Sequence, residues 1–344
     1  MNVKLKPDME ILKFKPDGKL RRQFYHSTSL SHPAKAHLGM MLEIISRYTK
    51  EGETILDPMA GIGGTMMAAL MGRSVILVEK EQHFVEQMRA SWAKMRQNPM
   101  LGCELGQVMI LRGDARALPL GRVDDNTPIC PNKCGPWLWD DKRKCRVCPV
   151  CGCVGLDKSL GQVDAAVFSP PYADTDVSTP KRHDFGGGIG NHPEVHWSEW
   201  HEHPGYTPGL NTQDNIGNLR GPAYWEAMRQ VYAECHRVLA PGGLMVLVVK
   251  GFTRDGQYVD LPAQTQALCE TLGFSFVETW QRELWSLSFW RILQGSEKKV
   301  KKMGLQMGLT EEDIVEIKRE WRVSNGRLDD RLRYETVLAL RREA

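Results

Sequence analysis

Residues 54–65 read Thr-Ile-Leu-Asp-Pro-Met-Ala-Gly-Ile-Gly-Gly-Thr, a pattern that few folds can accommodate. A short apolar strand runs into an acid, then a glycine-rich turn, then the helix-like stretch Met66–Leu70. Gly61, Gly63 and Gly64 let the backbone approach a ligand closely, and the helix start behind them offers free N–H groups to a carboxylate or phosphate. A second apolar strand, Ser74–Val78, ends in Glu79, about 20 residues beyond the turn, where an acid can bind ribose hydroxyls. A third, Val108–Leu111, is followed by Gly113-Asp114, which can hold an adenine edge. Three strands each bringing a polar group to one edge make a nucleotide-type pocket at the carboxyl ends of an open α/β sheet.

The rest of the chain extends this pattern. Val163–Phe168 has the length and β-branched content of a buried strand. Helical apolar spacing over Tyr224–Leu239 stops at Pro241-Gly242-Gly243, and Leu244–Val249 reads as a strand. Leu261–Leu272 reads as a helix, Phe274–Trp280 as a strand, Glu311–Trp321 as a helix and Tyr334–Leu340 as a last strand beside the sixth. The expected fold is a doubly wound, Rossmann-like α/β sheet of seven strands, one of them an antiparallel edge strand.

Directly after Val163–Phe168 comes Ser169-Pro170-Pro171-Tyr172. Consecutive prolines have no N–H to donate, so their carbonyls point outward from a stiff turn. That suits an exocyclic base amine, whose lone pair is delocalised into the ring until two acceptors grip its hydrogens. The Ser169 side chain and the Pro170 carbonyl are those acceptors, and the Tyr172 ring can stack on a base swung out of its helix. Methylation of ring carbon 5 uses a cysteine that usually follows a proline, and none of the nine cysteines here does.

A nicotinamide site would also use glycines and an acid, but Asp57-Pro58 ahead of the glycines separates the two. In the whole pattern, Asp-Pro-x-x-Gly-x-Gly-Gly-Thr, an acid ending the next strand, then Ser-Pro-Pro-Tyr, residues 25–290 resemble the S-adenosylmethionine-dependent amino-methyltransferases of DNA. The resemblance implies a methyltransferase. Asp57, Pro58, Gly61, Gly63, Gly64 and Thr65 would form its cofactor motif, Glu79 would bind the ribose and Asp114 the adenine. Ser169, Pro170, Pro171 and Tyr172 would be catalytic. His32-Pro33-Ala34-Lys35 and the amphipathic stretch to Tyr48 look like the segment that closes over the methionine end of the cofactor. Ser before Pro-Pro-Tyr leans towards cytosine N4 in this family, and Asp or Asn towards adenine N6. DNA is the implied partner, in a restriction–modification system or a phage, and a cognate restriction enzyme is compatible with it. The competing readings are an adenine-N6 enzyme, an RNA guanine-N2 or adenine methylase, and a zinc-containing DNA-binding protein with a degenerate fold.

At 344 residues, 42% hydrophobic and 25% charged, the chain can bury a full α/β core with room for insertions. A net charge of +3 does not by itself imply nucleic-acid binding, so phosphate contacts need local patches such as Lys142-Arg143-Lys144 or 298–302. No apolar run is long enough to span a membrane, and the N-terminus lacks the apolar stretch of a signal peptide, so a cytoplasmic protein is expected.

Six of the nine cysteines lie between 130 and 153, and in a cytoplasmic protein such clustering points to metal. Two Cys-Pro-x-(x)-Cys-Gly turns can complete a tetrahedral zinc site, with Cys130, Cys134, Cys148 and Cys151 as expected ligands and Cys145 and Cys153 in competition. The expected organisation is an N-terminal extension (1–30) and a catalytic domain (31–344). Three insertions interrupt that domain: a zinc ribbon at 121–162, a substrate loop at 173–221 and a segment at 284–330. The substrate loop holds five of the ten histidines between 183 and 203, and these read as solvated.

Overall fold

The computed structural model describes residues 9–31, 36–97, 104–122, 138–140, 145–147, 154–156, 163–171, 215–254, 257–284, 310, 312–313 and 330–343. Its strands are β1 (Ile11–Leu12), β2 (Thr54–Asp57), β3 (Ser74–Glu79), β4 (Val108–Arg112), β5 (Leu120–Arg122), β6 (Leu138–Asp140), β7 (Cys145–Val147), β8 (Val154–Leu156), β9 (Val163–Phe168), β10 (Leu239–Val249), β11 (Phe252–Arg254), β12 (Gln257–Val259), β13 (Phe274–Glu283) and β14 (Tyr334–Arg342). The α-helices are α1 (Gly18–Phe24), α2 (Leu38–Tyr48), α3 (Gln82–Met95), α4 (Gly221–Val238) and α5 (Leu261–Thr271).

Eight strands form the main sheet in the order β1-β13-β14-β10-β9-β2-β3-β4. From β10 to β4 every pairing is parallel. Such strands are covered on both faces, which is why they read as near-continuous apolar runs. Successive side chains point to opposite faces, so each strand supplies two cores. Leu56, Ile76, Val78, Ala166 and Phe168 pack with Tyr224, Met228, Val231 and Tyr232 of α4. Ile55, Val75, Leu77, Ala165 and Val167 pack with Leu38, Met41, Ile44 and Ile45 of α2 and with Met88 of α3. The chain winds outward from β2 through β3 and β4 on one side, and through β9 and β10 on the other. The order therefore reverses between β2 and β9, where Leu56 pairs with Ala166. That switch point is where open α/β sheets bind ligands.

Two expectations need correction. The sheet has eight strands, not seven: the two residues of β1 pair in parallel with β13, Ile11 opposite Gln281. A two-residue strand has no alternation to betray it. The antiparallel strand is not at an edge either. β14 lies between β10 and β13 and pairs antiparallel with both. Its apolar run from Val337 to Leu340 is buried on both faces, as a central strand requires.

Between β4 and β9 the inserted segment forms its own four-stranded sheet, β5-β8-β7-β6. The four expected zinc ligands lie outside the described residues, as do Tyr172, His32 to Lys35, most of the 173–221 loop, residues 298–302 and most of the 284–330 segment. Among the described residues no group of side chains could hold a metal ion, and no helix is long and apolar enough to cross a membrane.

Candidate active site

The turn after β2 is fixed almost residue by residue. Asp57, 5% exposed, accepts hydrogen bonds from the Met59 amide (3.1 Å) and the Thr65 hydroxyl (2.7 Å), spanning the turn from behind. The Ala60 amide donates to the Val78 carbonyl at 3.0 Å, and the Gly61 amide donates to Glu79 Oε2 at 2.8 Å. Gly63 has φ of 75°, a left-handed conformation that L side chains rarely adopt. A Cβ there would come within 2.7 Å of Met66 Cε and 3.1 Å of Met88 Sδ. The helix that follows, Gly64–Met71, is a 3₁₀ helix, which keeps the turn tight against α2.

Glu79 ends β3 and binds the turn with one oxygen while its other oxygen, Oε1, accepts from the Glu81 amide at 2.9 Å. A carboxylate has about four lone-pair sites, and with the amides of Gly61, Glu81 and Lys80 on it Glu79 keeps capacity for one hydroxyl. Burial raises both acids: Asp57 to about 7, partly offset by its bonds from Thr65 and Met59, and Glu79 to about 7, partly offset by the Glu81 and Gly61 amides.

Asp114 is differently placed. Its carboxylate accepts from Arg116 Nε (3.0 Å), Nη2 (2.6 Å) and backbone amide (2.9 Å), and from Lys80 Nζ (3.2 Å). Burial alone would raise this carboxyl, but the bonds from Arg116 and Lys80 outweigh it and hold the group at about 2. Its four lone-pair sites are taken, so an adenine amine would have to displace Lys80 to reach it.

Across the switch point, β9 ends at Phe168 and the next three residues leave the sheet. Ser169 is exposed, Pro170 buried and Pro171 half-buried. The Ser169 hydroxyl donates to the Val248 carbonyl of β10 at 3.0 Å. Tyr224 at the start of α4 donates its hydroxyl to the Pro171 carbonyl at 2.9 Å. Asp57, Glu79, Asp114 and Ser169 thus gather at one edge of the sheet. Val248, which bonds Ser169, Tyr224, which bonds Pro171, and Lys80 and Arg116, which bond Asp114, were not among the residues expected from sequence. Only Lys80 and Arg116 carried a signal, as cations beside the strand-end acids.

A profile of the DNA methylase family (N6_N4_Mtase) matches residues 7–90, which hold the glycine turn and Glu79. Among solved structures, the chain is similar to TrmN from Thermus thermophilus, at 13% identity and TM-score 0.40 over 94% of this chain and 53% of that one. It is also similar to a SAM-dependent methyltransferase from Methanosarcina mazei, at 12% identity and TM-score 0.41 over 87% of this chain and 97% of that one. A methyltransferase from Pyrococcus furiosus shows 12% identity and TM-score 0.41, covering 96% and 95%. The chain spans about half the length of TrmN.

Proposed function

We propose that the protein transfers a methyl group from S-adenosylmethionine to an exocyclic amine of a base in DNA, with cytosine N4 as the target. The Ser169 hydroxyl carries this reading. Its single hydrogen is committed to the Val248 carbonyl, so its lone pairs are left to accept from an incoming N–H. The Pro170 carbonyl, on a residue with no N–H of its own, supplies the second acceptor. Two acceptors on the amine draw its lone pair out of conjugation and towards the methyl donor. Tyr224 braces the prolines from behind by holding the Pro171 carbonyl. Tyr172 would stack on the extruded base.

The residues of the cofactor edge fit S-adenosylmethionine. Glu79 has capacity for a ribose hydroxyl, Gly63 has no room for a side chain, and Asp57, Pro58, Gly61, Gly64 and Thr65 shape the turn that would receive the amino-acid tail. When bound, the cofactor supplies an electrophilic methyl on a sulfonium sulfur. Asp114 would meet the adenine amine once Lys80 gives way.

Zinc belongs to the same proposal. In the β6–β7 hairpin, Leu138 pairs with Val147 and Asp140 with Cys145. The two Cys-Pro turns of this segment would each present a thiolate pair, Cys130 with Cys134 and Cys148 with Cys151, to one tetrahedral ion.

The test is mass spectrometry of nucleosides from a methylation-free host expressing the protein or its Ser169→Ala variant. N4-methylcytosine in DNA that vanishes in the variant is the expected result. N6-methyladenine would overturn the choice of base, a mark found only in RNA would overturn the substrate, and no mark would sink the proposal. A cytoplasmic setting and a companion restriction enzyme complete the reading, and co-purification from the source cell checks both.

A further inference from the structure

The geometry points to Tyr25 as a positioning residue for the cofactor's amino-acid tail, acting through the back of the glycine turn; this rests on the cofactor reading above. Tyr25 lies 38 residues before the turn in sequence, yet its hydroxyl donates to the Gly63 carbonyl at 2.9 Å and faces the Gly64 carbonyl at 3.2 Å. Its side chain is 1% exposed. Burial holds the phenol protonated well above its ordinary range, so it remains a donor wherever the fold persists. The peptide plane is rigid, so fixing the carbonyl oxygens of 63 and 64 also fixes the direction of the N–H groups of Gly64 and Thr65 on the other side. Those amides open the 3₁₀ helix at the place the proposal gives to a carboxylate.

The segment carrying Tyr25 is built to hold that hydroxyl still. Lys94 of α3 donates to the carbonyls of Arg22 (2.6 Å) and Tyr25 (2.9 Å). The Ser91 hydroxyl accepts from the His26 amide at 3.1 Å and meets the Ser29 hydroxyl at 2.9 Å. Arg21, itself 5% exposed, bonds Asp17 at 2.9 Å and the Ala36 carbonyl, and its guanidinium lies 5.9 Å from the Tyr25 ring centre. Asp17 in turn caps the Leu38 amide of α2 at 2.9 Å. Residues 17–29, expected from sequence to be an extension outside the catalytic domain, thus form a brace from α2 and α3 to the glycine turn.

The test compares S-adenosylhomocysteine with adenosine, which lacks the amino-acid tail. Calorimetry on Tyr25→Phe should show affinity for S-adenosylhomocysteine reduced about fivefold to tenfold, the scale of one buried hydrogen bond. Affinity for adenosine should stay within about twofold of the parent protein, because the ribose and adenine contacts are untouched. Lys94→Met loosens the Tyr25 backbone without removing the hydroxyl. It should show the same selectivity at smaller amplitude, and it keeps the test open should Tyr25→Phe not fold. Equal loss for both ligands, with a matching fall in melting temperature, would reduce Tyr25 to a packing residue and overturn the inference. So would unchanged affinity for both. Failure of the parent protein to bind S-adenosylhomocysteine at all would instead remove the cofactor reading, and the inference with it.

Discussion

The two sides of the switch point are built on opposite principles. On the β2 side, Asp57, Ala60, Gly61, Gly63 and Thr65 each make a hydrogen bond that fixes the turn, and Tyr25 seals it from the rear. On the β9 side, two side-chain bonds among the described residues hold the leaving chain, Ser169 to Val248 and Tyr224 to Pro171, with Ser169 exposed. A cofactor is the same molecule at every turnover, so a pre-set cradle loses nothing and saves ordering entropy. On the proposed function, a target base arrives attached to a polymer and must enter and leave. The contrast predicts that damage on the β2 side is read in cofactor affinity, and damage on the β9 side in turnover.

The largest break should come from Ser169→Ala. If Ser169 engages the amine as proposed, losing that acceptor should lower kcat by about 100-fold, the scale of removing one preorganised group from a reacting centre. S-adenosylhomocysteine affinity should stay within about twofold, because the cradle stands on the ends of β2, β3 and β4 and not on β9. A parallel fall in both would erase the division between the two sides. Gly63→Ala attacks the other side. Forcing a Cβ into a left-handed residue with Met66 Cε at 2.7 Å should weaken cofactor binding at least about tenfold, from about 1–2 kcal/mol of backbone strain before any clash. Calorimetry checks this, and unchanged affinity would mean the turn reshapes freely.

Tyr224→Phe sharpens the comparison. It removes the brace on the Pro171 carbonyl while keeping the ring in the core, and should cost about fivefold in kcat/KM for the base substrate, near 1 kcal/mol for one hydrogen bond. An effect on cofactor affinity instead would place Tyr224 on the wrong side of the division. The smallest effect is in pH. Glu79 titrates near 7 because burial opposes its charge, and its ionised form is the better acceptor for ribose hydroxyls. Cofactor affinity should therefore rise about threefold between pH 6 and 8, and Glu79→Gln should flatten that slope. Stability runs the other way. Asp57 and Glu79 hold their protons more tightly folded than unfolded, so the unliganded protein should lose stability as pH rises from about 4 through about 7. A melting temperature that climbs over that range would show that the turn's hydrogen bonds, not burial, control both acids.

Much of the β2 side was legible in the sequence because its grammar is local. A strand, an acid, glycines and a second strand-end acid fall within 54–79, and the structure brings them together. The brace was not legible. Tyr25 to Gly63, Ser169 to Val248 and Tyr224 to Pro171 join residues 38, 79 and 53 positions apart, and nothing in an apolar or aromatic residue announces a partner at that distance. Strand order was hidden for the same reason. The apolar run marks 334–340 as a strand, but not that its neighbours are β10 and β13.

The interior position of β14 sets a timetable for synthesis. β10 and β13 leave the ribosome before the strand that separates them. Until Tyr334–Arg342 arrives, each shows a row of unsatisfied backbone groups to the other, and both run in the same direction. Direct pairing between them would be a premature closure that β14 must then prise open. The nascent chain is therefore most exposed to misassembly while residues 284–333 are being made, and anything that shields those two edges in that interval acts as a chaperone for the whole sheet.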